Sequence, residues 1–184
     1  MNWFEPQPAP INTAAAGSGK DYRDQDCSIA RSLEVIGERW TFLILRDAFY
    51  GVRRFSDFQA HLDVPKAVLS SRLASLVEAG ILERRPDPDH GGRHLYELAP
   101  AGRELWPVLY ALLVWGGRHR SPNSRAFRHA ACGSALDDRG DCPFCRMIPA
   151  PEDIISERVP GRPAVRDDAV TIALGTPTDC SSRL

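Results

Sequence analysis

The sequence predicts a mainly α-helical fold carrying one small β-hairpin, followed by a short cysteine- and histidine-bearing segment. Three observations lead there. Apolar residues recur at helical spacing from residue 27 to about 120, and the period shortens to that of strands between residues 81 and 98. Beyond the last helix, His129, Cys132, Cys142 and Cys145 stand in two close pairs.

Residues 1–25 hold Pro6, Pro8 and Pro10 and an Ala/Gly/Ser stretch from Ala14 to Gly19, too little apolar surface to bury, and read as a flexible arm. Residues 26–120 then carry the regular elements. Ile29, Leu33, Val35 and Ile36 predict a first helix that stops near Gly37. Trp40 and the run Phe42 to Leu45 are apolar on nearly all sides, so the second helix belongs at the centre of a small core, and Gly51 ends it as a C-terminal cap. Ser56 reads as the N-cap of a short helix reaching about Leu62. Asp63-Val64-Pro65 is a turn, with Pro65 suited to the first helical position because its missing N–H costs nothing there. Leu69, Leu73, Leu76 and Val77 form one stripe down the helix 65–79, which stops at Gly80.

Ile81 to Arg85 and Arg93 to Leu98 then predict two strands, joined by a loop, Pro86 to Gly92, full of turn formers. A last helix starts near Pro100 and carries Leu105, Val108, Leu109, Leu112, Leu113 and Trp115. Residues 121–148 make the Cys/His segment. Residues 149–184 are rich in proline and charge and are expected to be mostly irregular, with Val170 to Leu174 as one short strand.

Two short helices joined by a tight turn and followed by a hairpin make a winged helix-turn-helix. The major groove of DNA admits one α-helix, and a hairpin beside it reaches the neighbouring minor groove or backbone. With the leucine stripe of helix 65–79 facing the core, Lys66, Ala67, Ser70, Ser71 and Ala74 face outward, small enough or polar enough to meet base edges and phosphates. Arg72 lies beside the stripe, and the wing 81–98 adds Arg84, Arg85, Arg93 and His94. Arg54 and Ser56 stand where the motif's first helix begins. These ten residues other than the alanines are the candidate DNA contacts. The formal charge of −1 gives no global signature of a nucleic-acid binder, and Asp57, Glu83, Asp87 and Asp89 are interleaved with the cations, so any positive surface depends on geometry.

The segments Cys27-Ser28-Ile29-Ala30-Arg31, Ile36-Gly37-Glu38-Arg39-Trp40-Thr41, Ile44-Leu45-Arg46-Asp47, Arg54-Phe55-Ser56-Asp57-Phe58, Leu69-Ser70-Ser71-Arg72-Leu73 and Tyr96-Glu97-Leu98 resemble the HxlR-type transcriptional regulators. The resemblance covers roughly residues 27 to 117 and touches every element. It implies a homodimer whose interface is made mainly by the first and last helices, and the apolar load of the last helix, including Trp106 and Trp115, agrees. It also places Cys27 where several members carry a thiol sensor for oxidants or electrophiles, a role that needs exposure and a stabilised thiolate. Arg31, one turn later, favours a thiolate, and Asp24 and Asp26 oppose it. The alternative is a small residue half-buried at a helix start.

His129-x2-Cys132 and Cys142-x2-Cys145 offer four soft or borderline ligands, a set that suits a tetrahedral structural zinc. Gly133 supplies the tight turn after the first pair, and Arg146 stands where the second would have its glycine. Residues 121–148 hold few sizeable apolar side chains, so a metal, worth on the order of 10–16 kcal/mol in small zinc peptides, is expected to fold residues 127 to about 148. The other readings are a Cys142/Cys145 redox pair or free groups in a loose tail.

No nucleophile elbow, phosphate loop or convincing carboxylate pair is present, and an enzyme is not expected. No apolar run approaches the roughly 20 residues that span a bilayer, and Met1 to Pro6 lacks the start of a secretory signal, which predicts a cytoplasmic protein. The rival function is a winged-helix protein–protein interaction module with the zinc segment as docking surface.

Overall fold

The structure is a computed structural model that describes residue 22 and residues 26–162, 167–175 and 177–179. The expected arm, residues 1–25, lies outside them except for Tyr22. Helix α1 (Ser28–Ile36) closes on Gly37, whose N–H donates to the Leu33 carbonyl at 2.8 Å. Helix α2 (Arg39–Phe49) runs through the centre, with Ile44, Leu45 and Phe49 fully buried, as its all-round apolar sequence predicts. Gly51 follows it at φ 91°, a left-handed conformation that favours glycine.

Helices α3 (Phe55–Leu62) and α4 (Lys66–Glu78) flank the turn Asp63-Val64-Pro65. Ser56 is not the N-cap: Arg54 holds that position, and the Ser56 hydroxyl instead donates to Asp57 at 3.0 Å. The cause lies in the tertiary structure. Arg54 pairs as an isolated bridge with Leu95 of the wing, which keeps it extended and starts the helix one residue later. Pro65 likewise caps α4 at ψ 133° and does not enter its first turn. Strands β1 (Leu82–Pro86) and β2 (His94–Leu98) pair antiparallel, Leu82 opposite Leu98 and Pro86 opposite His94.

The predicted last helix is broken into α5 (Pro100–Arg103) and α6 (Trp106–His119). Pro107 explains the break, since its ring excludes the carbonyl four residues back and it has no N–H to donate. Gly102 of α5 lies against the residue before β1, where a side-chain carbon would collide with the Ile81 carbonyl oxygen.

The C-terminal part corrects the expectation of a mostly irregular tail. Strand β3 (Arg125–His129) pairs with β4 (Ile154–Arg158), and β4 pairs with β5 (Thr178–Asp179), all antiparallel. A 3-10 turn, Pro151–Asp153, leads into β4. The expected strand at Val170 to Leu174 is a helix, α7 (Ala169–Ala173). Asp168 decides it, accepting from the Thr171 N–H at 2.9 Å and the Thr171 hydroxyl at 2.6 Å as an N-cap. Phe127 of β3 then enters the same core as the helices: its ring lies 5.5 Å from Trp106 and 5.6 Å from Tyr110. Ile154, Val170 and Leu174 complete that core. Among the described residues no helix is long and apolar enough to cross a membrane.

Candidate nucleic-acid interface and metal centre

Burial of Leu69, Leu73 and Leu76 turns the opposite face of α4 outward, and Lys66, Ala67, Ser70, Ser71 and Ala74 are all exposed on it. Lys66 and Ser70 have no side-chain partner among the described residues. Arg72 is half-buried and leans toward the Ser71 hydroxyl at 3.4 Å. Ser56 is exposed at the start of α3.

In the wing the arginines divide. Arg93 is exposed with no side-chain partner among the described residues. Arg84 meets His94 Nδ1 at 3.0 Å. Arg85 is held by Glu83 at 2.6 Å and by Glu97 at 3.4 Å. Arg54 is turned inward: its Nε donates to Asp87 at 3.0 Å, and Asp89 lies 3.6 Å from its Nη2. Asp87, expected only as a negative charge on the wing, is buried where the wing's loop leaves β1. The hydrogen bond from Arg54, with another from the Asp89 N–H, holds its carboxyl below the usual carboxylate range. Its sequence signal is the Asp-Pro-Asp spacing of an Asx turn.

A second buried acid was not singled out from sequence. Asp47 of α2 is fully buried, accepts from Arg46 at 2.7 Å, and meets His61 Nδ1 of α3 at 2.7 Å. It ties the first helix of the motif to the central helix. Cys27 is exposed at the N-cap of α1, and Arg31 lies 3.5 Å from Glu34.

The Cys/His cluster is assembled as the spacing suggested. The candidate ligand atoms of His129, Cys132, Cys142 and Cys145 all lie within 4.8 Å of one another. The two pairs sit on matching turns. The His129 N–H donates to Ser134 O at 2.9 Å and the Gly133 N–H to His129 O at 2.8 Å; the Cys142 N–H donates to Met147 O and the Arg146 N–H to Cys142 O, each at 2.8 Å. Gly133 at φ 70° and Arg146 at φ 57° occupy equivalent left-handed positions, so arginine does here what glycine does in the first turn. Burial pushes the Cys142 thiol up, but the Cys145 N–H and the Cys132 and His129 side chains outweigh it and bring the thiol down to about 6. Three thiols and an imidazole at this spacing fit a tetrahedral site for a metal such as zinc.

The loop between the pairs grips α6. The Tyr110 hydroxyl donates to Asp137 O at 2.9 Å, Arg118 pairs with Asp138, and Gly140 lies against the Tyr110 ring. Beside this segment, β3 is held by β4 and by the burial of Phe127.

The sequence matches the family described as HxlR-like helix-turn-helix over residues 35–124. An uncharacterised HTH-type transcriptional regulator of Mycobacterium tuberculosis, Rv3095, is 40% identical over 150 residues, 79% of this chain and 94% of that protein. Another, from Methanothermobacter thermautotrophicus, is 30% identical over 107 residues, 56% of this chain and 82% of that protein. Among solved structures, PA1607, described as a candidate transcription factor, shares 40% identity with a TM-score of 0.52, covering 55% of this chain and 70% of its own. The Mycobacterium relative is matched over a stretch longer than the family segment alone. From the helix pair and wing to nearly the full length of a relative, these likenesses converge: the chain belongs to the HxlR-like helix-turn-helix family of transcriptional regulators.

Proposed function

We propose that the protein is a sequence-specific DNA-binding regulator that acts as a homodimer, reading the major groove with α4 and the flanking backbone with the wing. The observation that carries this is the exposed, small and polar face of α4, with Lys66, Ser70 and Ser71 uncovered, together with the exposed Arg93 of the wing, which has no side-chain partner among the described residues. Dimerisation is supported by apolar side chains left outside: Ile29 is 69% exposed on α1, and Val108, Leu112 and Trp115 are about half exposed on α6. The Cys/His cluster is read as a structural zinc site, and four protein ligands leave no open position for catalysis. Family membership and the absence of a membrane-length helix among the described residues support a non-enzymatic, cytoplasmic role.

A titration of duplex DNA at rising salt tests the reading. Affinity should fall steeply as salt rises, because phosphate contacts release counterions. Binding that is absent at low salt would instead favour a protein–protein module docking through the zinc segment, a reading supported by Phe144, which stands 78% exposed beside the cluster.

A further inference from the structure

The four ligands of the Cys/His cluster are unequally protected. His129 and Cys142 are buried, Cys132 is half-buried, and Cys145 is exposed. The neighbours of Cys145 leave it open to solvent, since every position from Pro143 to Ile148 is exposed.

The sulfurs also differ in what reaches them. Cys142 Sγ accepts from the Cys145 N–H at 3.4 Å and from the Phe144 N–H. Cys132 Sγ lies 3.5 Å from His129 Nδ1 and 3.4 Å from Cys142 Sγ. Among the described residues no backbone N–H reaches the Cys145 sulfur. A zinc ion holds each cysteine ligand as its thiolate, and three thiolates on one dication leave one negative charge in excess. At Cys142 the N–H donors share that charge; at Cys145 it stays on a sulfur that solvent can reach. Exposed thiolates are the ones that oxidants attack.

We infer that Cys145 is the point at which hydroperoxides attack the zinc-bound cluster, and that this attack releases the metal. The Cys145 thiolate attacks the terminal oxygen of the peroxide. The O–O bond breaks, Cys145 becomes a sulfenic acid, and the rest of the peroxide leaves as alkoxide or hydroxide. Cys132 or Cys142, with sulfurs within 4.8 Å, then attacks the sulfenic sulfur, forms a disulfide and expels hydroxide. The two thiolates give up two electrons, and the peroxide oxygens receive them. His129 and one thiolate remain, too few to hold a tetrahedral structural zinc. The chemistry rests on the zinc reading of the cluster. The loop between the two pairs is tied to Tyr110 and Arg118, so loss of the metal reaches α6.

The test uses the full-length Cys27→Ser/Cys180→Ser variant, purified reduced, in which the three cluster thiols are the only ones left. Zinc is measured first. Hydrogen peroxide should then release one zinc per chain to a chromogenic chelator as titratable thiols fall from three to one. Dithiothreitol with added zinc should restore both. Limited labelling of the zinc-loaded protein with N-ethylmaleimide reads the point of attack. Among chains carrying one label, mass spectrometry should find it on Cys145 at least ten times as often as on Cys132 or Cys142. Should the variant fold poorly, the parent protein is mapped in the same way, since Cys27 and Cys180 fall in separate peptides. Zinc retained under peroxide, release without disulfide formation, or first labelling at Cys132 or Cys142 would each overturn the inference and leave the zinc reading intact. Absence of zinc before oxidant is added would overturn both, and the initial measurement tells the two failures apart.

Discussion

Arg54, at the start of α3, donates to Asp87, 33 positions later where the wing's loop leaves β1, across 3.0 Å. One end of the helix-turn-helix is thus joined directly to the hairpin beside it. Arg54→Gln or Asp87→Asn should loosen the wing and lower the affinity for all duplexes, with a small fall in melting temperature. The pH dependence has a definite sign. Asp87 is lowered in the folded protein, so its contribution is complete above the ordinary carboxylate range and is lost as pH falls through and below about 4. Melting curves of the parent protein and Asp87→Asn should therefore converge in acid; a constant separation down to acid pH would show the ion pair to be irrelevant.

Lys66→Ala, Ser70→Ala and Ser71→Ala should weaken binding to the preferred sequence without altering the melting temperature. A lost base contact costs roughly 1–3 kcal/mol. Arg93→Ala should instead lower affinity for every sequence and flatten the dependence on salt, because a phosphate contact carries no sequence information. Quantitative binding to specific and random duplexes separates the two classes. Unchanged affinity in all three α4 variants would remove α4 as the reading helix.

Leu112→Arg should convert a dimer to a monomer in sedimentation equilibrium, since Leu112 leaves about half of its apolar surface exposed on α6. Two-fold symmetry would set half-sites about 34–36 Å apart or a multiple of that. A parent protein that sediments as a monomer at micromolar concentration would rule the dimer out.

Elemental analysis of protein purified reduced and without chelator should find one zinc per chain, and none in Cys142→Ser/Cys145→Ser. Losing the metal should release the Asp137–Asp141 loop from Tyr110 while Phe127 stays in the core. Tyr110→Phe should therefore reproduce part of the fall in melting temperature while keeping the zinc. No stoichiometric zinc in the parent protein would return the cluster to a redox pair or to free groups in a loose tail.

Oxidants or quinones should release the protein from DNA in gel-shift assays if Cys27, exposed at the start of α1, is a sensor, and Cys27→Ser should not respond. A response that survives in Cys27→Ser would move attention to Cys142 and Cys145.

The helices of the motif were legible because one force dominates each of them. The leucine stripe of α4 and the all-round apolar α2 can be satisfied only by facing the core, and Gly51 and Gly80 mark their ends by the left-handed backbone they adopt. The Cys/His pairs were legible for a similar reason, as ligand chemistry fixes their spacing. Arg54 was misplaced because its partner is a wing residue, and no local pattern announces an ion pair across 33 positions. The sheet was missed because β3 and β4 are joined through the whole metal segment and show weak alternation: only Ile154 and Ser156 of β4 are fully buried. Helix α7 was lost to its β-branched residues, which favour strands, while the capping by Asp168 overrode them.

The insertion of Phe127 beside Trp106 and Tyr110 also orders events in time. A ribosome delivers the helix-turn-helix and wing first, yet the apolar floor beneath them stays open until residues 127, 154 and 170 have emerged. A nascent chain stalled after α6 would present Trp106 and Tyr110 to solvent and to its neighbours, the condition under which partly made proteins recruit chaperones or aggregate. Contacts this distant along the chain also slow folding. Completion of the core beneath the helix-turn-helix is in this way postponed to the end of synthesis.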